Sequence, residues 1–187
     1  MTPRPAQPLT FTFSAFDSDT MLLMPPQTSA DLSPMYNITV SLDLNPFVPL
    51  SYVTTVRRGA TQAGDIVGSF ELSINQKRAF VTVRNVAKRL ADVMWNVHGS
   101  SERYWDWFIS DVNLRWDCRS TLDDGSPMCV CYHAPSSDQV ATFVPPPLDT
   151  TPPGPAAVLT VFPDGWEWFD QILLSALVIE RKRGLEV

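Results

Sequence analysis

A mainly β fold, an antiparallel closed or nearly closed barrel of about ten to twelve strands around one apolar C-terminal helix, is predicted by three features of the sequence. Short segments in which apolar and polar residues alternate recur along most of the chain. Proline outnumbers glycine, 17 against 8, which suits short strands with stiff connections because proline fixes φ and cannot donate to a ladder. Residues 172–179 are apolar almost all round, interrupted only by Ser175, and such a helix must be surrounded. A bilayer span needs about 20 apolar residues, more than this stretch supplies even with Glu167 and Asp170 counted in. No transmembrane segment is therefore expected, and a sheet closed around the helix is the remaining way to hide every face.

Residues 1–8 read as a Pro-containing tail, and order begins where Leu9, Phe11, Phe13 and Ala15 alternate with Thr10, Thr12 and Ser14. A second extended piece, Thr20 to Met24, is cut off by Pro25-Pro26. In the clearest alternation Tyr36, Ile38, Val40 and Leu42 face a core while Asn37, Thr39, Ser41 and Asp43 face water. A loop with Asn45-Pro46 and Pro49 precedes a Thr-rich strand from Tyr52 to Arg57. Ile66, Gly68, Phe70, Leu72 and Ile74 keep period two, with Gly68 marking a bulge or a close backbone approach, and Phe80 to Val83 forms a further strand. Over residues 86–97, Val86, Leu90, Val93 and Val97 have helical spacing in strand-like surroundings; the reading taken is a short strand after a turn near Asn85.

Tyr104, Trp105, Trp107 and Phe108 open an aromatic block, followed by a strand with Leu114, Trp116 and Cys118 on one face and Arg115 and Asp117 on the other. Asp123-Asp124-Gly125 is a turn signal, and beyond it Met128, Val130 and Tyr132 oppose Cys129, Cys131 and His133, so residues 119–126 are a hairpin loop. Pro145-Pro146-Pro147 and Pro152-Pro153-Gly154-Pro155 make residues 145–155 a stiff connector. The segment C-terminal to it is too short to fold alone, so the connector is a surface insert within one domain spanning 9–183. Ala157 to Phe162 is the last strand. Asp164 is placed to cap a helix from about Gly165 into Arg183, with Glu167 near its start and Arg181, Lys182 and Arg183 at its end, as the helix dipole prefers. Residues 184–187 are a tail.

An ordered set of motifs runs through these elements: Tyr36-Asn37-Ile38, Thr54-Thr55-Val56-Arg57-Arg58, Asp65-Ile66-Val67-Gly68, Leu114-Arg115-Trp116-Asp117-Cys118, then Val158 to Phe162 leading into Asp170-Gln171-Ile172 and Val178-Ile179-Glu180-Arg181-Lys182-Arg183. The set resembles a domain family of unknown function abundant in mushroom-forming fungi (basidiomycetes). That family is distantly similar to the tubby C-terminal, LURP-one and phospholipid-scramblase group. The resemblance spans residues 9–183 and departs from the family pattern around residues 86–110 and in the Pro-rich insert. It implies a tubby-like barrel of roughly twelve strands enclosing an apolar C-terminal helix, and it brings no catalytic residues.

A net charge of −6 and a pI near 4.8 repel the molecule as a whole from nucleic acid and from anionic membranes. No nucleic-acid partner is expected. The charge is uneven: residues 57–89 carry seven basic residues against Asp65 and Glu71, a net of +5 that leaves −11 for the rest. Arg57, Arg58, Lys77, Arg78, Lys88 and Arg89 are thus candidates for a basic patch that meets an anionic lipid headgroup or an acidic protein partner, by analogy with tubby-like domains. Solvated strand ends are the competing account of the same residues. The first functional expectation is a non-enzymatic binding or adaptor module; the alternative is a small-molecule carrier or enzyme with a pocket at the barrel mouth.

Cys118, Cys129 and Cys131 are an odd set, and residues 1–10 show no apolar run of signal-peptide length. A reducing, cytoplasmic setting is therefore expected, which demotes the sequon Asn37-Ile38-Thr39. Cys118, Cys129, Cys131 and His133 make a ligand set that zinc accepts. The Cys-x-x-Cys spacing is missing, however, and Cys-x-Cys-x-His on one strand spreads successive ligands about 6–7 Å apart. Small core thiols beside an exposed histidine are the reading taken, and neither a metal nor another cofactor is expected. Cys131 with His133, or Cys129 with His98, lacks a third orienting group, and no phosphate loop, serine elbow or His-Glu-x-x-His occurs, so no catalytic residue is assigned. Trp105, Trp107 and Trp116, without basic interleaving, are read as packing residues rather than base-stacking platforms.

Overall fold

The computed structural model describes residues 4–73, 78–97, 103–147 and 155–185. The alternating segments of the first half become β1 (Leu9–Phe13), β2 (Thr20–Met24), β3 (Tyr36–Asp43), β4 (Ser51–Arg58), β5 (Ile66–Ser73), β6 (Ala79–Val83) and β7 (Val86–Arg89). The second half supplies β8 (Met94–Asn96), β9 (Tyr104–Ile109), β10 (Val112–Thr121), β11 (Pro127–His133), β12 (Gln139–Val144) and β13 (Val158–Val161), and the helix α1 (Phe169–Leu185) comes last. All 13 strands join one antiparallel sheet in the order β7-β6-β5-β4-β3-β2-β1-β13-β12-β11-β10-β9-β8. The halves meet where β1 pairs with β13 and Phe11 lies opposite Leu159. The fold is therefore mainly β with one C-terminal helix. Among the described residues the edge strands β7 and β8 share no ladder; the chain itself joins them through a 3₁₀ turn at Leu90–Asp92.

Several local readings are corrected. The short strand expected after a turn near Asn85 is β7, but it ends at Arg89: a 3₁₀ turn then sends Leu90, Val93 and Val97 inward, while Val86, which shares their spacing, is 46% exposed. Ile66 is 62% exposed, because a register shift opposite Val56 and Arg57 turns Val67 into the core. Asn37 is buried, not wet, and its Nδ2 donates to the Ala60 carbonyl at 3.2 Å. In β12, Val140 and Ala141 are both buried, which breaks period two and hides the strand from pattern reading; the register shift beside Cys131 explains the break. Asp164 does not cap the helix. Pro163 begins a 3₁₀ turn through Trp168 with no side-chain cap, Asp164 instead pairs with Arg4, and α1 starts at Phe169. Of the Pro-rich insert only residues 145–147 and 155 are described.

The helix sits inside the curve of the sheet. Every residue from Ile172 to Ile179 is at most 7% exposed, and its neighbours come from both halves of the chain. On one face Gln171 Oε1 accepts from Trp107 Nε1 of β9 at 3.2 Å, and Ser175 Oγ accepts from Trp116 Nε1 of β10 at 3.0 Å. Ser175 in turn donates back to the Gln171 carbonyl at 2.8 Å, so both buried indoles are satisfied. On another face Leu174 presses on Gly68 of β5, where a Cβ would lie 2.6 Å from Leu174 Cδ1 and 2.8 Å from the Thr82 carbonyl oxygen. Phe169 packs edge-on to Phe11 of β1 (4.9 Å between ring centres) and stacks on Tyr36 of β3 at 5.5 Å.

Substituting Ser175→Ala strands the Trp116 N–H in the core and is expected to cost about 1–3 kcal/mol of unfolding free energy in urea. Paired with Trp116→Phe, the loss should be smaller than the sum of the two single losses. Gly68→Ala should cost about 1–3 kcal/mol by overpacking against Leu174.

Candidate functional site

Strand register defines two ends of the molecule. Tyr36 lies opposite Arg58, and Asp43 opposite Ser51. The first end thus carries Tyr36, Arg58 and the start of α1, and the second carries Leu42, Tyr52 and the last turns of α1. At the first end Arg58 Nη2 bonds Asp170 Oδ2 at 2.6 Å, Arg58 Nη1 donates to the Tyr36 hydroxyl at 3.1 Å, and that hydroxyl donates to Asp170 Oδ1 at 2.7 Å. Burial, reinforced by Asp170, pushes the Tyr36 phenol far above its usual pKa, so it stays a donor. This triad pins the entrance of the helix to β3 and β4.

The predicted basic patch does not converge. Arg57 and Arg58 are neighbours on one strand and point to opposite faces of the sheet. Arg78 lies at the other end of the sheet, beside Ser73, the partner of Ser51, so about 23 Å of strand separates it from Arg58. It is neutralised by Glu71 at 3.0 Å and Asp43 at 3.8 Å. Lys88 and Arg89 are exposed on the edge strand β7, opposite Val81 and Phe80. Lys77 lies outside the described residues.

The cysteines and histidine are not gathered as a ligand set either. Cys118, Cys129 and Cys131 are fully buried on the inner face with Trp116. Burial drives the Cys118 and Cys131 thiols well above their ordinary pKa, which keeps them protonated and unreactive. His133 stacks on Trp168 with 4.4 Å between ring centres, and its Nδ1 lies 2.9 Å from Ser136 Oγ. Among the described residues no three His, Cys, Asp or Glu side chains are placed to hold a metal ion. His98 lies outside the described residues. Trp105, Trp107 and Trp116 are at most 2% exposed and pack the core.

Two clefts flank the helix. The cleft at the first end, of about 500 Å³, is lined by Tyr36, Arg58, Arg84, Trp166 and Asp170 among others, but its charged groups are largely spent on each other, Arg58 with Asp170 and Arg4 with Asp164. The groove at the second end, of about 530 Å³, runs between the C-terminal half of α1 and β2–β5. Buried Ile38, Thr54, Phe70 and Leu177 form its floor, and Phe16, Met21, Val40, Leu42 and Tyr52 its sides. Polar atoms enter from Ser18, Glu180 and Arg181. The Arg181 guanidinium lies 4.9 Å above the Tyr52 ring. Glu180 Oε2 accepts from Arg183 Nη1 at 3.1 Å, and Arg183 is only 7% exposed. Burial raises the Glu180 pKa against the opposing pull of Arg183 and then Arg181.

Sequence reasoning used Arg181 and Glu180 only as helix-end charges and did not find the groove. The available signal was the apolar face of β3 continuing through Val40 to Leu42 toward the charged end of the helix. Comparison with protein-family models, curated proteins and solved structures finds no match.

Tyr36→Phe removes a hydrogen bond to a charged carboxylate and is expected to lower stability by about 1.5–3 kcal/mol. Asp170→Asn should cost less in the Tyr36→Phe background than in the wild type, because only the direct Arg58–Asp170 ion pair is then left to weaken, a coupling that a double-mutant cycle in denaturant reads directly.

Proposed function

We propose that the chain is a non-enzymatic binding module that holds a small amphiphile in the groove beside the C-terminal half of α1. The ligand's apolar body lies against Ile38, Val40, Phe70 and Leu177, and its anionic head meets Arg181. The observation that carries this reading is the state of Arg181. It stands on the rim of an apolar groove, oriented by the Tyr52 ring, and no described carboxylate forms an ion pair with it. Glu180 turns to Arg183 instead. A volume of about 530 Å³ falls within the roughly 300–1,000 Å³ of small-molecule sites, and apolar walls with few convergent polar groups are their usual composition. Among the described residues the groove lining includes no histidine or cysteine that would pair with a nucleophile, which supports binding rather than turnover.

A headgroup site on Arg57, Arg58, Lys77, Arg78, Lys88 and Arg89 is the weaker reading, because the described members are dispersed and two are already paired. The sheet is read as a barrel completed by the Leu90–Asp92 connection rather than by a ladder. Kinship with the fungal family and the tubby group is supported by a helix held between strands of both chain halves. Three unpaired thiols support a reducing compartment. Among the described residues no helix is long and apolar enough to cross a membrane.

Arg181→Gln is expected to weaken binding of a long-chain carboxylate about tenfold or more while leaving the matching alcohol nearly unchanged, measured by displacement of a fluorescent acyl probe. Equal losses for acid and alcohol would falsify the assignment. Because the folded-state pKa of Glu180 is raised, its contribution to stability is present below its ordinary pKa and is lost as pH rises through the raised value. The ionised carboxylate also repels an anionic head, so affinity should fall over the same rise in pH, and Glu180→Gln should flatten that profile.

A further inference from the structure

The loop joining β3 to β4 is unlike a solvated hairpin loop. Residues 44–50 contain no charged side chain, and they expose Leu44 at 74%, Phe47 at 92% and Leu50 at 45%. An exposed run of this kind calls for a functional reason. The loop also pairs its own backbone donors. Asn45 N–H donates to Asp43 Oδ1 at 3.0 Å, Phe47 N–H to Asn45 Oδ1 at 3.0 Å and Val48 N–H to the Asn45 carbonyl at 3.3 Å. Pro46 and Pro49 have no N–H to satisfy. Within residues 45–49 every backbone N–H has a partner in the loop or at its base, which lowers the cost of withdrawing these donors from water.

The finger is continuous with the groove. Leu42 and Tyr52 at its base are opposite one another and line the groove mouth, and the 53%-exposed Phe16 of the neighbouring loop stands on the same rim. Asp43 at the base faces Arg78 at 3.8 Å. The only polar side chain in the tip, Asn45, turns its Oδ1 inward to the Phe47 N–H, so the tip offers a protein partner a single amide as polar rim, whereas a lipid surface needs none.

We propose that Leu44–Leu50 is a finger that enters the interfacial zone of an uncharged lipid bilayer and holds the groove mouth against it, so that the amphiphile passes between bilayer and groove. The passage rests on the groove reading; the bilayer contact does not. A net charge of −6 fixes the preference for a zwitterionic over an anionic surface.

Flotation of the full chain with phosphatidylcholine vesicles tests the contact. The wild-type chain should float, equally at low and high salt, and phosphatidylserine should not increase the floating fraction. A Leu44→Ser/Phe47→Ser variant should lose about tenfold or more of its vesicle partition while keeping its circular dichroism and its binding of the acyl probe without vesicles. Arg181→Gln should float normally while losing the carboxylate probe, which separates failure of the groove reading from failure of the finger. The proposal is overturned if the wild-type chain stays in the buffer, if the double variant floats as well as wild type, or if flotation needs anionic lipid and vanishes in salt. It is equally overturned if the double substitution abolishes self-association and the chain never floats, which would assign the finger to a second copy.

Discussion

A helix that is apolar on every side has to be enclosed, and this requirement organises the molecule. Six large aliphatic side chains between Ile172 and Ile179 are buried. At about 1.5–3 kcal/mol each, their gross contribution of about 9–18 kcal/mol matches the whole net stability of a typical domain, about 5–15 kcal/mol. The sheet is bent to receive them, and specific fittings hold the contact. Gly68 lets β5 approach Leu174, while Gln171 and Ser175 supply the two acceptors that the buried indoles of Trp107 and Trp116 require. The polar interruption at Ser175 is thus an acceptor for a particular tryptophan, not a defect in an apolar helix.

The same fit leaves a groove. Leu177 lines the groove together with Ile38, Thr54 and Phe70, and beyond it Glu180 and Arg181 border the same space as Val40, Leu42 and Tyr52. An apolar strand face and a polar helix end therefore stand opposite each other across a gap. Burial raises the Glu180 pKa because this end of the helix is half withdrawn from water, and Arg183 is retained at 7% exposure by the carboxylate it accompanies. Chemically, the place suits a molecule with one apolar and one charged part.

Much of the fold was legible from period two alone. β3 begins and ends where alternation does, and the all-round apolar helix implied its own enclosure. Legibility failed where tertiary contact overrides pattern. The shift beside Val56 swaps Ile66 for Val67, and the shift beside Cys131 places Val140 and Ala141 both inside; neither is encoded in a local period. Proline at 163 outweighed the capping potential of Asp164. The basic residues looked clustered because they are close in sequence, but antiparallel pairing sends Arg58 and Arg78 to opposite ends. The groove was not legible because Arg181 and Tyr52 are brought together only by the way the helix lies in the sheet.

Native-state amide hydrogen exchange of Ile172–Ile179 tests the enclosure most directly. If the sheet surrounds the helix, these amides exchange only through global unfolding, with protection equal to the stability measured in denaturant and with the same denaturant dependence. Exchange through local opening, several kcal/mol easier than unfolding and insensitive to denaturant, would show a helix that lies on the sheet rather than within it and would contradict the enclosure.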